Sequence, residues 1–129
     1  MSAKQDAAVE LKNRTGDAHY NCCQAVACVF ADETGVSSDT LRKLGAGFGL
    51  GMGGMEATCG ALCGAEMVLG LMKYKGSPIR GEAKELHRKF TEKCGASICR
   101  DIKGVGTEKV LCSCDDCVRN AVALIEETI

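Results

Sequence analysis

The sequence lacks features that several classes of protein require. Tryptophan is absent and aromatic residues make up 4% of the chain, too few for a platform on which nucleic acid bases stack. The formal net charge is -1, so there is no surplus of basic side chains to neutralise phosphates. We therefore expect no nucleic acid partner.

Long apolar runs are missing as well. The first residues, MSAKQDAAVELKNR, alternate charged and small apolar side chains, unlike a signal peptide. No stretch offers the roughly 20 consecutive apolar residues that a membrane-spanning helix needs. The pattern predicts a cytoplasmic protein without membrane contact.

Cysteine, by contrast, is abundant. Ten cysteines in 129 residues approach the roughly 8–10% that is typical of disulfide-rich secreted domains. Because no export signal is visible, the thiols are expected to stay reduced, and the cysteine content then indicates metal, cluster or redox chemistry. The length predicts a single cysteine-rich redox domain, residues 1–129.

The local patterns predict helices and almost no strand. Capping side chains precede several apolar-periodic stretches and glycines follow them. The predicted fold class is all-α: a single-domain bundle of four to five main helices with short helical turns. The long helices are expected at about 2–14, 17–30, 55–72 and 78–94 and from Asp115 or Asp116 onward, with short helical turns at 39–44 and 98–102.

Helix lengths predict where the cysteines meet. The second helix would rise roughly 24 Å at 1.5 Å per residue, with Cys22 near its beginning. The glycine-rich run at 47–54 can bring the chain back, since extended residues span up to ~3.6 Å each. Repeating this argument along the chain places Cys22, Cys59, Cys99 and Cys117 at one pole of the bundle. Helix N-termini there would favour thiolates and could hydrogen-bond cluster sulfurs.

Further cysteines can supplement these four. Cys112, Cys114 and Cys117 form the string CSCDDC beside a helix start, which is ligand-like but lacks the usual ferredoxin and zinc spacings. Cys63 shares a helical face with Cys59, although a small buried cysteine can also serve packing alone. The candidate metal ligands are therefore Cys22, Cys59, Cys63, Cys99, Cys112, Cys114 and Cys117.

Four blocks of the sequence carry a recognisable pattern: YNCCQAV, TCGALCGAEMVLG, ASICRDIKG and CVRNAVALIEE. Together they resemble the C_GCAxxG_C_C family of small bacterial and archaeal redox-active proteins, and CGALCG is the most specific match. The resemblance implies redox activity through four cofactor-binding cysteines, and a similar domain in split-Soret cytochromes implies an iron–sulfur centre here, without haem. The four positions are Cys22, Cys59, Cys99 and Cys117. Six cysteines exceed the family pattern and leave the ligand set open: Cys23, Cys28, Cys63, Cys94, Cys112 and Cys114.

Three functional hypotheses follow from these observations. The first is an electron-transfer protein with an iron–sulfur cluster, whose type the sequence does not indicate. The second is a metal-free thiol–disulfide redox protein using a pair such as Cys22 and Cys59. The third is a zinc-stabilised structural or interaction module. No catalytic residue is indicated, so we expect an electron carrier or thiol–disulfide oxidoreductase, with a redox partner protein and a homodimer as further expectations.

Overall fold

Eight α-helices make up most of the computed structural model, which describes residues 2–129. A 3-10 turn at Gly16–Ala18 and an irregular turn at Gly51–Met55 complete the regular structure. In the described part of the chain, β-type pairing is limited to one antiparallel bridge between Thr58 and Ile98, so the all-α prediction is confirmed. The helices are α1 (Ala3–Lys12), α2 (Cys22–Cys28), α3 (Ala31–Thr34), α4 (Ser38–Leu44), α5 (Gly60–Lys73), α6 (Arg80–Cys94), α7 (Cys99–Lys103) and α8 (Cys114–Thr128).

Helices α5 and α8 form the centre of the bundle. Helix α5 packs against α2, α6 and α8, and α8 also packs against α1 and α6. Their apolar faces meet in one hydrophobic core that includes Phe30, Leu62, Phe90 and Ile125, all fully or almost fully buried. Within residues 2–129, no helix combines the length and apolarity that crossing a bilayer requires.

Glycines allow α5 to approach α2 closely. A Cβ atom at Gly64 would lie 2.6 Å from the carbonyl oxygen of Cys23, and one at Gly60 would lie 2.8 Å from that of Phe48. Any larger side chain would therefore collide with backbone atoms. The close approach places the first turns of α5 and α2 side by side, as the helix-length argument predicts.

Two helices begin at different residues from those predicted, because other side chains cap them. Asn21 accepts a hydrogen bond from the Gln24 N–H and donates its own N–H to the Gln24 side chain, a capping box. Helix α2 therefore starts at Cys22 and not at Asp17. Ser113 caps α8, so that helix starts at Cys114 and not after Asp115 or Asp116.

Helix α5 also begins later than predicted, at Gly60 rather than near Met55. The Cys59 N–H donates to the carbonyl oxygen of Ser97 at 2.8 Å, next to the bridge between Thr58 and Ile98. This pairing keeps the backbone before Gly60 extended. Cys59 consequently occupies the N-cap position of α5.

The glycine-rich segment ends in a tight turn with left-handed backbone. Leu50, Gly51, Met52 and Gly53 have φ angles of 54°, 58°, 61° and 91°. This conformation costs an ordinary residue about 1–2 kcal/mol, so surrounding packing must hold it in place. At Gly51 a Cβ atom would lie 2.6 Å from the Cβ atom of Cys99, and the turn therefore packs its backbone directly against that cysteine.

Candidate functional site

Five cysteines line one cavity at an end of the bundle. The cavity has a volume of about 450 Å³, within the roughly 300–1,000 Å³ that is typical of small-molecule and cofactor sites. The structure thus brings together all four cysteines of the family pattern and one of the additional ones. The five are Cys22, Cys59, Cys99, Cys114 and Cys117.

Four helices begin at this cavity. Cys22, Cys99 and Cys114 are the first residues of α2, α7 and α8, and Cys59 is the N-cap of α5. The first N–H groups of a helix have no partner within it and carry partial positive charge. The arrangement therefore surrounds the sulfurs with hydrogen-bond donors that stabilise negative charge.

A short backbone pairing holds two of the sulfur-bearing residues side by side. The Cys59 N–H donates to Ser97 O at 2.8 Å, and the Cys99 N–H donates to Ala57 O at 3.0 Å. These two hydrogen bonds flank the antiparallel bridge that joins the two segments. The start of α5 and the start of α7 are thus joined directly at the cavity wall.

Basic side chains, and no carboxylates, share the cavity wall with the cysteines. Lys12, Lys103 and His19 line it, and the Lys103 ammonium donates a hydrogen bond to the Cys114 sulfur. The neighbouring Cys22 side chain and, to a smaller extent, Lys103 lower the pKa of Cys114 to about 5. Lys12 also forms an ion pair with Asp115, so Lys103 is the ammonium group that acts directly on a cavity sulfur.

Cys59 and Cys117 form a second pair of neighbouring thiols. Hydrogen bonding from Cys117, together with the N–H groups of Ala61 and Leu62, lowers the pKa of Cys59. The same contact, with a further one to Cys94, raises the pKa of Cys117. Each pair thus consists of one sulfur that ionises readily and a partner thiol that stabilises it.

Cys117 also belongs to a group of three cysteines beside the cavity. The sulfur atoms of Cys94, Cys112 and Cys117 all lie within 4.8 Å of one another, and we call them the sulfur triad. The Asn120 side-chain nitrogen lies 3.4 Å from the Cys94 sulfur and 3.9 Å from the Cys112 sulfur. Cys94 and Cys117 are buried, whereas Cys112 is half-buried.

Sequence reasoning did not include Cys94 among the site residues. It is the last residue of α6, directly before Gly95, and the predicted helix lengths already bring this end of α6 to the pole. The rotation of α6 decides whether Cys94 turns toward α8, and the sequence pattern gives that angle only approximately. Lys103 and Asn120 carry no signal that separates them from ordinary surface residues.

The remaining cysteines lie away from the cavity. Cys63, a predicted candidate ligand, faces a shallow hollow that Glu66, Met67 and His87 also line. Cys28 is buried in the core, and its thiol donates a hydrogen bond to the Ser38 carbonyl oxygen at 3.5 Å. This cysteine therefore contributes to packing and not to the cavity. The structure therefore brings six of the seven candidate ligands to the cavity or the sulfur triad and leaves Cys63 apart.

A comparison with known protein families shows to which family the chain belongs. The family model described as "Putative redox-active protein (C_GCAxxG_C_C)" matches residues 20–128. The chain belongs to this family. No curated protein and no solved structure matches it. The C_GCAxxG_C_C match spans all ten cysteines, so the cavity and the sulfur triad lie within the part of the chain that defines a redox-active family.

Proposed function

We propose that this C_GCAxxG_C_C protein is an electron carrier that holds an iron–sulfur cluster in the cavity. Cys22, Cys59, Cys99 and Cys117 would be its ligands, with Cys114 as the substitute within reach. The observation that carries the proposal is that four helix starts deliver cysteine sulfurs to one cavity that no carboxylate lines. Thiolates select iron–sulfur clusters and soft metal ions over the hard cations that prefer oxygen.

The spacing of the sulfurs favours a cluster over a single zinc ion in the cavity. Zinc–sulfur bonds of about 2.3 Å place the sulfurs of a tetrahedral site only about 3.8 Å apart. Among the described cysteines, the sulfur triad is the group with three sulfurs within 4.8 Å of one another. The other described cavity sulfurs do not form such a group of three, which favours a cofactor with several atoms over a single ion.

The residues around the cavity would tune such a cofactor. The cluster itself supplies a one-electron redox couple. The Ala61 and Leu62 N–H groups at Cys59 and the positive charge of Lys103 at Cys114 would stabilise electron-rich sulfur and so raise the reduction potential. Reduced thiols fit a cytoplasmic location, and the electron would pass to or from a partner protein.

Metal and sulfide analysis of anaerobically purified protein tests the proposal. We expect iron, acid-labile sulfide and a visible charge-transfer band, all strongly reduced in the Cys22→Ala, Cys59→Ala and Cys99→Ala variants. Cys28→Ala, which alters a buried cysteine outside the cavity, should retain them. Protein that stays colourless and iron-free after cluster reconstitution contradicts the proposal, and stoichiometric zinc without iron supports a structural zinc module instead.

A metal-free thiol–disulfide function is the second candidate, favoured by the contact between Cys22 and Cys114. The Cys22 side chain lies against Cys114, and the Lys103 ammonium donates a hydrogen bond to the Cys114 sulfur, which is the environment of a reactive cysteine pair. A low-molecular-weight disulfide would accept two electrons and two protons from the two thiols, leaving a Cys22–Cys114 disulfide and two small thiols. Equilibration of metal-free protein in glutathione buffers, followed by disulfide mapping, should find this pair. If other cysteines are paired, or none, this function is excluded.

A further inference from the structure

The sulfur triad forms a group of its own beside the cavity. Cys94 ends α6, Cys112 precedes α8, and Cys117 lies one turn inside α8. Neither Cys94 nor Cys112 lines the cavity, and neither belongs to the four-cysteine pattern. The cluster proposal therefore leaves two closely spaced thiols next to Cys117 without a role.

The spacing of these three sulfurs matches a single metal ion. With a metal–sulfur bond of about 2.3 Å, as in zinc–thiolate sites, three sulfurs around one ion stand about 4.0 Å apart. The sulfur atoms of Cys94, Cys112 and Cys117 come close to this arrangement, since all lie within 4.8 Å of one another. Only small side-chain movements are needed to bring them to bonding distance.

The surroundings of the triad resemble the outer shell of a metal site. The Asn120 amide lies within hydrogen-bonding reach of the Cys94 and Cys112 sulfurs, and such contacts fix the orientation of ligand atoms. Cys94 and Cys117 are 1% and 2% exposed, which keeps competing water away. Cys112 is half-buried and gives an ion access from solvent.

We propose that Cys94, Cys112 and Cys117 form a mononuclear site for the cuprous ion, Cu⁺. Soft thiolate ligands select Cu⁺ and zinc, but structural zinc takes four ligands, and the triad offers three. Cu⁺ is stable with three sulfurs in a plane. All three ligands are sulfur, so the site excludes hard cations such as Mg²⁺ and Ca²⁺.

The copper site does not depend on the cluster proposal. A thiolate sulfur can bridge two metal centres, so Cys117 can serve both sites, and Cys114 can replace it at the cavity. Cys22 belongs only to the cavity and Cys94 only to the triad. Variants of these two residues therefore separate the two proposals.

Competition with a chromogenic Cu⁺ chelator under anaerobic, reducing conditions tests the site. We expect wild-type protein to bind one tight equivalent of Cu⁺, and Cys94→Ala and Cys112→Ala to weaken it by about 100-fold or more. Asn120→Ala, which removes a positioning contact, should weaken it by roughly 10–100-fold. Cys63→Ala is the matched control, because Cys63 is half-buried like Cys112 but does not belong to the triad, and this variant should bind Cu⁺ as the wild type does.

Cysteine footprinting of the wild-type protein gives an independent test that no folding defect can obscure. One equivalent of Cu⁺ should protect Cys112 from alkylation while Cys63 reacts as before. The proposal is overturned if Cys112 is not protected, if Cys94→Ala and Cys112→Ala retain full affinity, or if Zn²⁺ and not Cu⁺ protects the triad. Cys22→Ala should lose iron and keep Cu⁺ binding, whereas Cys94→Ala should keep iron and lose Cu⁺ binding, so that failure of one proposal is distinguishable from failure of the other.

Discussion

Neighbouring cysteines in this protein differ because one step along a helix turns a side chain by about 100°. Cys22 is half-buried and lines the cavity, whereas Cys23 is fully buried and contacts Met67. Burial raises the pKa of Cys23 to about 12, so it stays a neutral packing residue. Adjacent positions in the sequence thus have separate roles, as the helical geometry predicts.

Glu66 gives the protein a pH-dependent stability. Burial raises the pKa of this carboxyl from 4.5 to about 7. Between about pH 4.5 and 7 the folded protein holds a proton that the unfolded chain has released, so the free energy of unfolding falls as the pH rises. Above about pH 7 the contribution of Glu66 to the free energy of unfolding is fully lost. Because Glu66 is partly exposed to solvent, this loss is on the order of 1 kcal/mol.

Replacing this carboxyl should remove its own contribution to the pH dependence. In urea unfolding measurements, we expect the free energy of unfolding of Glu66→Gln to rise relative to that of the wild type between pH 5 and 8, so that the variant is the more stable protein at pH 8. Glu82→Gln, at an exposed position of α6, serves as the control and should preserve the wild-type slope. An unchanged slope in Glu66→Gln would mean that another group titrates.

At the scale of helices, the contact between α2 and α5 determines the distance between their first turns. A Cβ atom at Gly64 would lie 2.6 Å from Cys23 O, whereas Gly70 in the same helix has open space around it. We expect Gly64→Ala to lower the free energy of unfolding by about 1–3 kcal/mol, as overpacking does. Gly70→Ala should be neutral or stabilising by up to about 1 kcal/mol. Equal effects of the two substitutions in chemical denaturation would disprove the packing argument.

The left-handed turn should control the position of Cys99 at the start of α7. Gly51 and Gly53 both have positive φ angles, but only at Gly51 would a Cβ atom meet Cys99, at 2.6 Å. We expect both alanine variants to lose about 1–2 kcal/mol from backbone strain, and Gly51→Ala to lose more. Alkylation of the buried Cys99 thiol, followed by mass spectrometry, should accelerate in Gly51→Ala and remain slow in Gly53→Ala. Equal rates would show that the turn does not position Cys99.

Much of this architecture could be predicted from sequence, because caps and glycines are local signals. Ser2 caps α1, and Gly45 and Gly104 directly follow α4 and α7. The left-handed angles of Leu50 and Met52 could not be predicted, since tertiary packing imposes them on residues that rarely adopt them. Cys94 was missed for a related reason, because its contact with Cys117 depends on the rotation of a long helix.

At the scale of the whole molecule, the site lies at one end of the bundle, where four helices begin. Much of the apolar core lies further along these helices, away from their first residues. Helix starts with few internal hydrogen bonds open more easily than the packed interior. A cofactor bound to the first residues of several helices would hold these helix ends together. We therefore expect cofactor binding to slow amide hydrogen exchange most at Ala61 and Leu62, in the first turn of α5, and less at Val122 and Ile125, in the interior of α8.

Mass spectrometry of hydrogen exchange in loaded and cofactor-free protein measures this difference. The Cys59→Ala variant, treated with the same reconstitution mixture, should show no additional protection at the start of α5. Uniform slowing along all helices would indicate general stabilisation and would contradict cofactor binding at the helix starts.

The backbone bridge between the segments of Cys59 and Cys99 has a consequence for the proposed electron carrier. Two hydrogen bonds, 2.8 and 3.0 Å long, flank this bridge, and they restrict the separation of the two cysteines. If both cysteines bind the proposed cluster, this restriction would limit the change in bond lengths between its oxidation states. The reorganisation energy of the cluster would then be small, and electron exchange would need only a low driving force.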